Sequence, residues 1–177
     1  MIKPNKGSIL IGAAMLFLTA ITRAQTPEQR LSEMKIIVPS AFPVANNYVH
    51  AVRTGNLIYL SGKGPLMKNG KYLVGKLGKT LMTSDGRSAA RLIAISQIGV
   101  LKDMLGDLSR LKQIIKVNGF VNCTANFVEQ SAVIDGFSDL MVAVFGELGK
   151  HARTSVGVES LPGNMAVEVE MIIEINP

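Results

Sequence analysis

Two segments of this chain each carry one apolar stripe at helical spacing, and this feature constrains the fold most. The apolar residues of the first segment recur at alternating four- and three-residue steps: Ala94, Ile98, Leu101, Leu105 and Leu108. Those of the second do the same: Val133, Phe137, Leu140, Val144 and Leu148. A helix with one apolar stripe buries that face and leaves the other in water. We therefore predict two helices, one from Ser84 or Asp85 to Gly106 and one ending near Gly146 or Gly149.

The segments around these helices have the alternating pattern of half-buried strands. Residues 48–53 and 56–61 predict a tight hairpin that turns at Thr54-Gly55, and Asn69-Gly70 signals a further turn. Residues 113–123 alternate, with one side formed by Ile115, Val117, Val121 and Cys123. Residues 154–158 and 167–174 predict two closing strands. The order β-β-(β)-α-β-α-β-β predicts a two-layer α+β domain with both helices on one face of a mixed sheet.

The other face of this sheet also carries apolar side chains, such as Phe120 and Ile172. An uncovered apolar face on a small domain favours self-association, so we expect a homo-oligomer. The alternative is a sheet face of mixed polarity that is simply exposed to water.

The N-terminal segment has the features of a secretory signal peptide. Lys3 and Lys6 precede an apolar run over residues 9–21, and Thr22-Arg23-Ala24 resembles a cleavage site. We expect cleavage after Ala24, export to the periplasm or the exterior, and one mature domain over residues 25–177. An N-terminal membrane anchor is the alternative, although the run is shorter than the ~20 residues of a spanning helix.

Composition argues against several classes of function. Loss of Lys3, Lys6 and Arg23 lowers the net charge from +6 to +3, and the chain has no Trp, which argues against nucleic-acid binding. His50 and His151 lack the spacing of a metal site, and we expect neither a metal nor a cofactor. Cys123 is the single cysteine, and its alternating segment predicts a buried thiol in a chain without an internal disulfide.

The C-terminal segments contain the residues most suited to chemistry. Arg153 begins one predicted strand and Glu168 begins the next, so the two side chains can face a common cleft if these strands pair. A guanidinium grips a carboxylate at two points, and a partly desolvated carboxyl group can transfer protons. The alternatives are that Arg153 pairs with a surface acid such as Glu159 and that Glu168 is a solvated residue of an alternating strand.

These residues resemble the C-terminal signature of the RidA/YjgF family, which has also been labelled endoribonuclease L-PSP. The similar positions are Ala152-Arg153, Ser155, Val156, Leu161-Pro162 and Val167-Glu168-Val169-Glu170. The order of the remaining segments is also similar, so the resemblance spans residues 36–174. It implies a chorismate mutase-like fold, and a homotrimer whose sheets form a central barrel with clefts between subunits.

The resemblance also implies an activity and a set of site residues. Arg153 would grip the carboxylate of a 2-imino or enamino acid with help from the backbone N–H of Ser155, and Glu168 would activate water. Tyr48 and Gly62 would line the pocket. The expected reaction is hydrolysis to a 2-keto acid and ammonium without a metal or organic cofactor. A non-enzymatic carboxylate-binding protein and an endoribonuclease are the two alternatives.

The sequence departs from the family pattern in three places. Ala45-Asn46-Asn47 stands where Gly-Pro is usual, Lys63 stands where Gln is common, and Ser138 stands where deaminating members have an Asn. Ser138 is accordingly included among the expected substrate-binding residues. These departures bear on which substrate is bound.

Overall fold

The computed structural model describes residues 25–41, 43 and 47–177. The predicted signal peptide over residues 1–24 and the departure at Asn46 therefore lie outside the described residues. These described residues form a five-stranded sheet and three α-helices. In chain order they are α1 (Pro27–Glu33), β1 (Ala51–Thr54), β2 (Leu57–Lys63), α2 (Thr83–Leu105), β3 (Leu111–Asn122), α3 (Gln130–Phe145), β4 (Ala152–Val158) and β5 (Val167–Ile175).

The predicted α+β architecture is confirmed. The strands lie in the order β1-β2-β5-β3-β4, with β3 and β4 parallel and the other neighbours antiparallel. β1 and β2 form the predicted hairpin, and Gly55 occupies the turn with a φ of 57°. Helices α2 and α3 pack together on one face of the sheet, where they bury a continuous apolar core.

The two long helices follow the predicted stripes with corrections at their ends. Met82, rather than Ser84 or Asp85, is the N-cap of α2, and its backbone N–H donates to the Asp85 carboxylate at 2.8 Å. Gly106 ends α2 with a φ of 74°, as predicted. In the second segment Leu148 is 43% exposed, because α3 ends at Phe145 and the following tight turn breaks the helical period.

Helix α1 was not predicted, since residues 25–40 have the composition of an extended lead-in. It begins with a capping box in which the Gln29 backbone N–H donates to Thr26 Oγ1 and the Thr26 N–H donates to Gln29 Oε1. Arg30 Nη1 donates to the Val144 carbonyl, and Leu31 is buried. The Thr-Pro-x-Gln sequence was a readable helix start.

A register shift changes which side of β3 one residue faces. The antiparallel pairing of β3 with β5 shifts between Ile114 and Lys116. Ile115, which the alternation predicted as buried, is therefore 38% exposed, while Val117, Val121 and Cys123 are buried as predicted. A second shift in the pairing of β2 with β5 lies between Leu60 and Lys63, beside the site described below.

A buried glutamine fixes this second irregular segment. Gln97 on α2 is fully buried, and its Nε2 donates to the Ser61 carbonyl at 3.0 Å and to the Val169 carbonyl at 3.1 Å. One side chain therefore ties the helix to both strands where their ladder is interrupted. This holds in place the residues that flank Ser61 and Val169, namely Gly62 and Glu168.

The face of the sheet opposite the helices is open in the single chain. It carries polar pairs, such as the Asn118 amide donating to Glu170 at 2.9 Å. Apolar side chains at other positions remain substantially exposed: Val52 57%, Tyr59 44% and Val156 40%. Among the described helices, none combines the length and the apolar character that crossing a membrane requires.

Candidate functional site

Glu168 lines a cavity of about 440 Å³ at the end of β2. It alternates along β5 with the buried Val167 and Val169, so its side chain projects from the face opposite the helices. Its carboxylate lies directly against Gly62, where a Cβ would overlap the carboxylate oxygen. The predicted site residues Gly62 and Tyr48 line the same cavity. The structure thus brings together Glu168, Gly62 and Tyr48.

The surroundings of Glu168 favour its protonated form. Burial raises the pKa of Glu168 above its ordinary value, and the neighbouring charge of Glu170 raises it further. A carboxyl group whose pKa is raised towards neutrality can both accept and return a proton, which is what general acid–base catalysis requires. The alternative in which Glu168 is a fully solvated residue does not agree with this half-buried position.

Arg153 lies in a different place, between β4 and α3. It is paired in register with the core residue Val117, which puts it on the helix side of the sheet. Its Nη1 donates to Asp135 Oδ1 at 2.8 Å and to Ser138 Oγ at 3.0 Å. The alternative partner, Glu159, pairs with Lys76 at 3.1 Å instead. Arg153 is therefore an anchored guanidinium with an acidic partner that the sequence did not identify.

Ser138 links Arg153 to His151. The His151 Nδ1 lies 2.6 Å from the Gly149 carbonyl, and a carbonyl can only accept, so Nδ1 donates and Nε2 remains an acceptor. The Ser138 hydroxyl, 3.0 Å from Nε2, donates to it. Burial lowers the pKa of His151, the Arg153 charge lowers it further, and the bond to Gly149 opposes this shift. A neutral imidazole therefore orients Ser138.

The Arg153 side of the site has a shallow cavity and an unused hydroxyl. Ser138, His151 and Arg153 help to line a cavity of about 220 Å³. Ser155 lies two residues after Arg153 and so projects to the same side of β4. Its Oγ is buried and finds no hydrogen-bond partner among the described residues. Ser155 is not among the residues that line that cavity, so its free hydrogen-bonding capacity lies inside the protein.

The two groups of residues do not meet within one chain. The expectation that the strands of Arg153 and Glu168 pair is wrong, because β3 lies between β4 and β5. The two side chains project from opposite faces of the sheet, and their cavities have no lining residue in common. Each chain therefore carries two separate groups of candidate residues, called half-sites below, and a site containing both Arg153 and Glu168 would require two chains.

Asp135 and His151 are the functional candidates that sequence reasoning missed. Asp135 precedes Ser138 by three residues on α3, a spacing that places both on one helix face, and His151 precedes Arg153 by two residues on the same side of the chain. Both signals were readable once Arg153 was suspected. Within the described residues, no three His, Cys, Asp or Glu side chains come together as a metal site.

Comparisons with known proteins agree with this architecture. Protein TCP17 of Trypanosoma cruzi is 42% identical over 147 residues, which are 82% of this chain and 92% of that protein. A crystal structure from Shewanella oneidensis, described as "a putative endoribonuclease", is 34% identical with a TM-score of 0.81 and covers 85% of this chain and 100% of that one. A protein of Dermatophagoides farinae named 2-iminobutanoate/2-iminopropanoate deaminase is 29% identical over 147 residues, 82% of this chain and 99% of its own.

A model of the family described as "YjgF/chorismate mutase-like, putative endoribonuclease" matches residues 28–175. This match covers every residue of the sheet and every residue of the three α-helices except Pro27, and it includes both half-sites. The chain belongs to the YjgF/RidA family.

Proposed function

We propose that this protein hydrolyses reactive 2-imino or enamino acids. In the balanced reaction, water adds to the C=N carbon of the imino acid, and the adduct breaks down to a 2-keto acid and ammonia. The observation that carries the proposal is the half-buried Glu168, whose raised pKa and contact with Gly62 suit a residue that moves protons to and from water in a confined cavity. The deaminase name of the mite relative supports the same chemistry.

In this proposal the substrate carboxylate binds at Arg153. The guanidinium is held by Asp135 and Ser138 through Nη1. An anchored guanidinium recognises a planar carboxylate with little loss of side-chain freedom. Arg153 thus orients the imine carbon towards Glu168, which lies across the subunit boundary.

The proposed assembly is a homotrimer in which Arg153 of one subunit faces Glu168 of the next. The exposed apolar residues on the open face of the sheet, such as Tyr59 and Val156, support burial of this face between chains. Each interface of a cyclic trimer would join one Arg153 half-site to one Glu168 half-site. This arrangement accounts for the separation of the two residues within a single chain.

A complementation experiment tests both the activity and the shared site. Arg153→Ala and Glu168→Gln are each expected to abolish keto-acid release from an imine that an amino-acid oxidase generates in situ. If the co-expressed variants assemble at random, about one interface in four, averaged over all trimers, joins an intact Arg153 to an intact Glu168. Activity should therefore return to about a quarter of the wild-type rate. No return of activity would refute the shared site, and no acceleration by the wild-type protein would refute the deaminase.

Non-enzymatic binding of small carboxylates is the second candidate, and the Asp135–Arg153 pair favours it. A guanidinium that already has a carboxylate partner suits reversible exchange with a free carboxylate. This function requires Arg153 but not Glu168. Calorimetry with a 2-keto acid should show binding retained in Glu168→Ala under both candidates. The rate of keto-acid release separates them, because only a deaminase accelerates it, and Glu168→Ala then abolishes that acceleration.

The endoribonuclease alternative has weaker support in the geometry. Within one chain its histidines, His50 and His151, line different cavities, so the paired acid and base of a histidine-dependent nuclease would also require two chains. Incubation of tag-free protein with RNA tests it, and RNA cleavage that is lost in Arg153→Ala would favour it over deamination. Binding of nucleic acid is not part of the proposal.

Export remains a further proposal, carried by the apolar run before Ala24. Cell fractionation followed by N-terminal sequencing tests it directly. A mature chain that begins at Gln25 in the exported fraction supports cleavage, and an intact chain recovered from membranes supports the anchor.

A further inference from the structure

Lys63 is the last residue of β2 and lines the same cavity as Glu168. Its position follows from the irregular end of β2, where Lys63 is paired with Val169 after the register shift. The preceding residue, Gly62, lies against the Glu168 carboxylate. Adjacent residues of β2 therefore have two roles at this cavity. Gly62 contacts the half-buried carboxyl group of Glu168, which lies on β5, and Lys63 contributes an amine.

The partner of Lys63 is unusual for a lysine of this protein. Its Nζ contacts His50 Nδ1, which is a nitrogen rather than a carboxylate oxygen. Other lysines pair with acids: Lys76 with Glu159, Lys112 with Glu174 and Lys150 with Glu147. Among the described residues, no carboxylate lies within ion-pair distance of Lys63.

This environment makes the ammonium group of Lys63 easier to deprotonate. Lys63 is half-buried, and its burial lowers the pKa of the ammonium group. Since no carboxylate of the described residues forms an ion pair with Lys63, desolvation is the cause of this shift. The neutral amine is the form of lysine that reacts with carbonyl and imine carbons, and desolvation in a cavity increases its share.

We propose that Lys63 is a nucleophile that forms a Schiff base with the C2 carbon of 2-oxo or 2-imino acids. The substrate class rests on the proposed function. The position of Lys63 in the cavity and its half-buried environment are observed independently of that function.

The chemistry balances with groups that line the cavity. The neutral Nζ attacks C2 of the imino acid, a proton passes to the departing nitrogen, and ammonia leaves from the resulting diamine. The product is a Schiff base between Nζ and C2, which the protonated Glu168 carboxyl group protonates as it becomes a carboxylate. Water, deprotonated by the Glu168 carboxylate, then adds to C2, and the adduct releases the 2-keto acid and the neutral lysine. The sum is imine plus water giving keto acid plus ammonia.

Reductive trapping tests the proposal without requiring turnover. The wild-type protein is incubated with pyruvate and sodium cyanoborohydride, which reduces a Schiff base to a stable secondary amine, and the modified lysines are identified by peptide mass spectrometry. We expect the reduced adduct at Lys63 at least about tenfold faster than at exposed lysines such as Lys68 and Lys79. Equal modification of all three lysines would overturn the proposal.

Two variants separate this inference from the proposed function. Lys63→Met and Lys63→Arg remove the nucleophile, and Lys63→Arg keeps a cation of similar length beside His50. Both should lose the adduct and at least about tenfold of the deamination rate. Full deamination by a folded Lys63→Arg protein would refute the Schiff base and leave hydrolysis by Glu168 intact. A rapid Lys63 adduct in a wild-type protein without deaminase activity would support the reactive lysine and refute the deaminase.

Discussion

Removing the negative charge of Asp135 should strengthen the binding of carboxylates at Arg153. Asp135 Oδ1 lies 2.8 Å from the Arg153 Nη1, so a ligand carboxylate on the same guanidinium would lie about 5 Å from the Asp135 carboxylate. Two unit charges at that separation repel by about 1–3 kcal/mol for effective dielectric constants between 80 and 20. The repulsion should lie near the lower limit, because Asp135 is 41% exposed and Arg87 Nη1 is 3.8 Å from it.

A gain of about 1 kcal/mol corresponds to about fivefold tighter binding. Asp135→Asn should therefore lower the Kd for a 2-keto acid about fivefold in calorimetry at low salt. Asp139→Asn is the matched control, since Asp139 also pairs with Arg87 but has no bond to Arg153. Unchanged or weaker binding in Asp135→Asn, or an equal gain in Asp139→Asn, would refute the reasoning.

Three further predictions concern the Glu168 cavity and the core. Gly62→Ala should greatly reduce deamination with little change in melting temperature, because the new methyl group displaces the Glu168 carboxylate; wild-type kinetics would contradict this. Because the pKa of Glu168 is raised in the folded state, ionisation of this residue destabilises the fold. Glu168→Gln should therefore have the same melting temperature as the wild type at pH 4 and a higher one at pH 8. A lower melting temperature of the variant at pH 8 would contradict this. Phe137→Ala, at a fully buried site, should cost about 3–5 kcal/mol and lower the melting temperature by roughly 10 °C in calorimetry.

Much of the fold could be predicted because local patterns report burial directly. The stripe from Ala94 to Leu105 is buried along α2, and the alternation of Val167, Val169, Met171 and Ile173 is buried along β5. The failures have local causes. Ile115 lies at a register shift, where the strand alternation is interrupted, and Leu148 lies beyond the end of α3, where the helical spacing no longer applies. The pattern that predicted burial therefore does not hold at either residue.

The sequence identified candidate site residues but not how they are distributed over the fold. Tyr48, Gly62 and Glu168 share one cavity, and Ser138, Arg153 and Ser155 lie together at β4 and α3. The partner of Arg153 could not be deduced, since Asp135, Asp139 and Glu159 are all acids at plausible distances along the chain. Only the packing of α3 against the edge of the sheet selects Asp135.

The sequence by itself determined the α+β class, the family and the chemical character of the two half-sites, because each of these depends on residue type and local period. The tertiary structure decided which strands are neighbours. By placing β3 between β4 and β5, it separates Arg153 from Glu168 and turns them to opposite faces of the sheet. Strand order depends on contacts between residues far apart in the chain, and no local pattern of side chains encodes it.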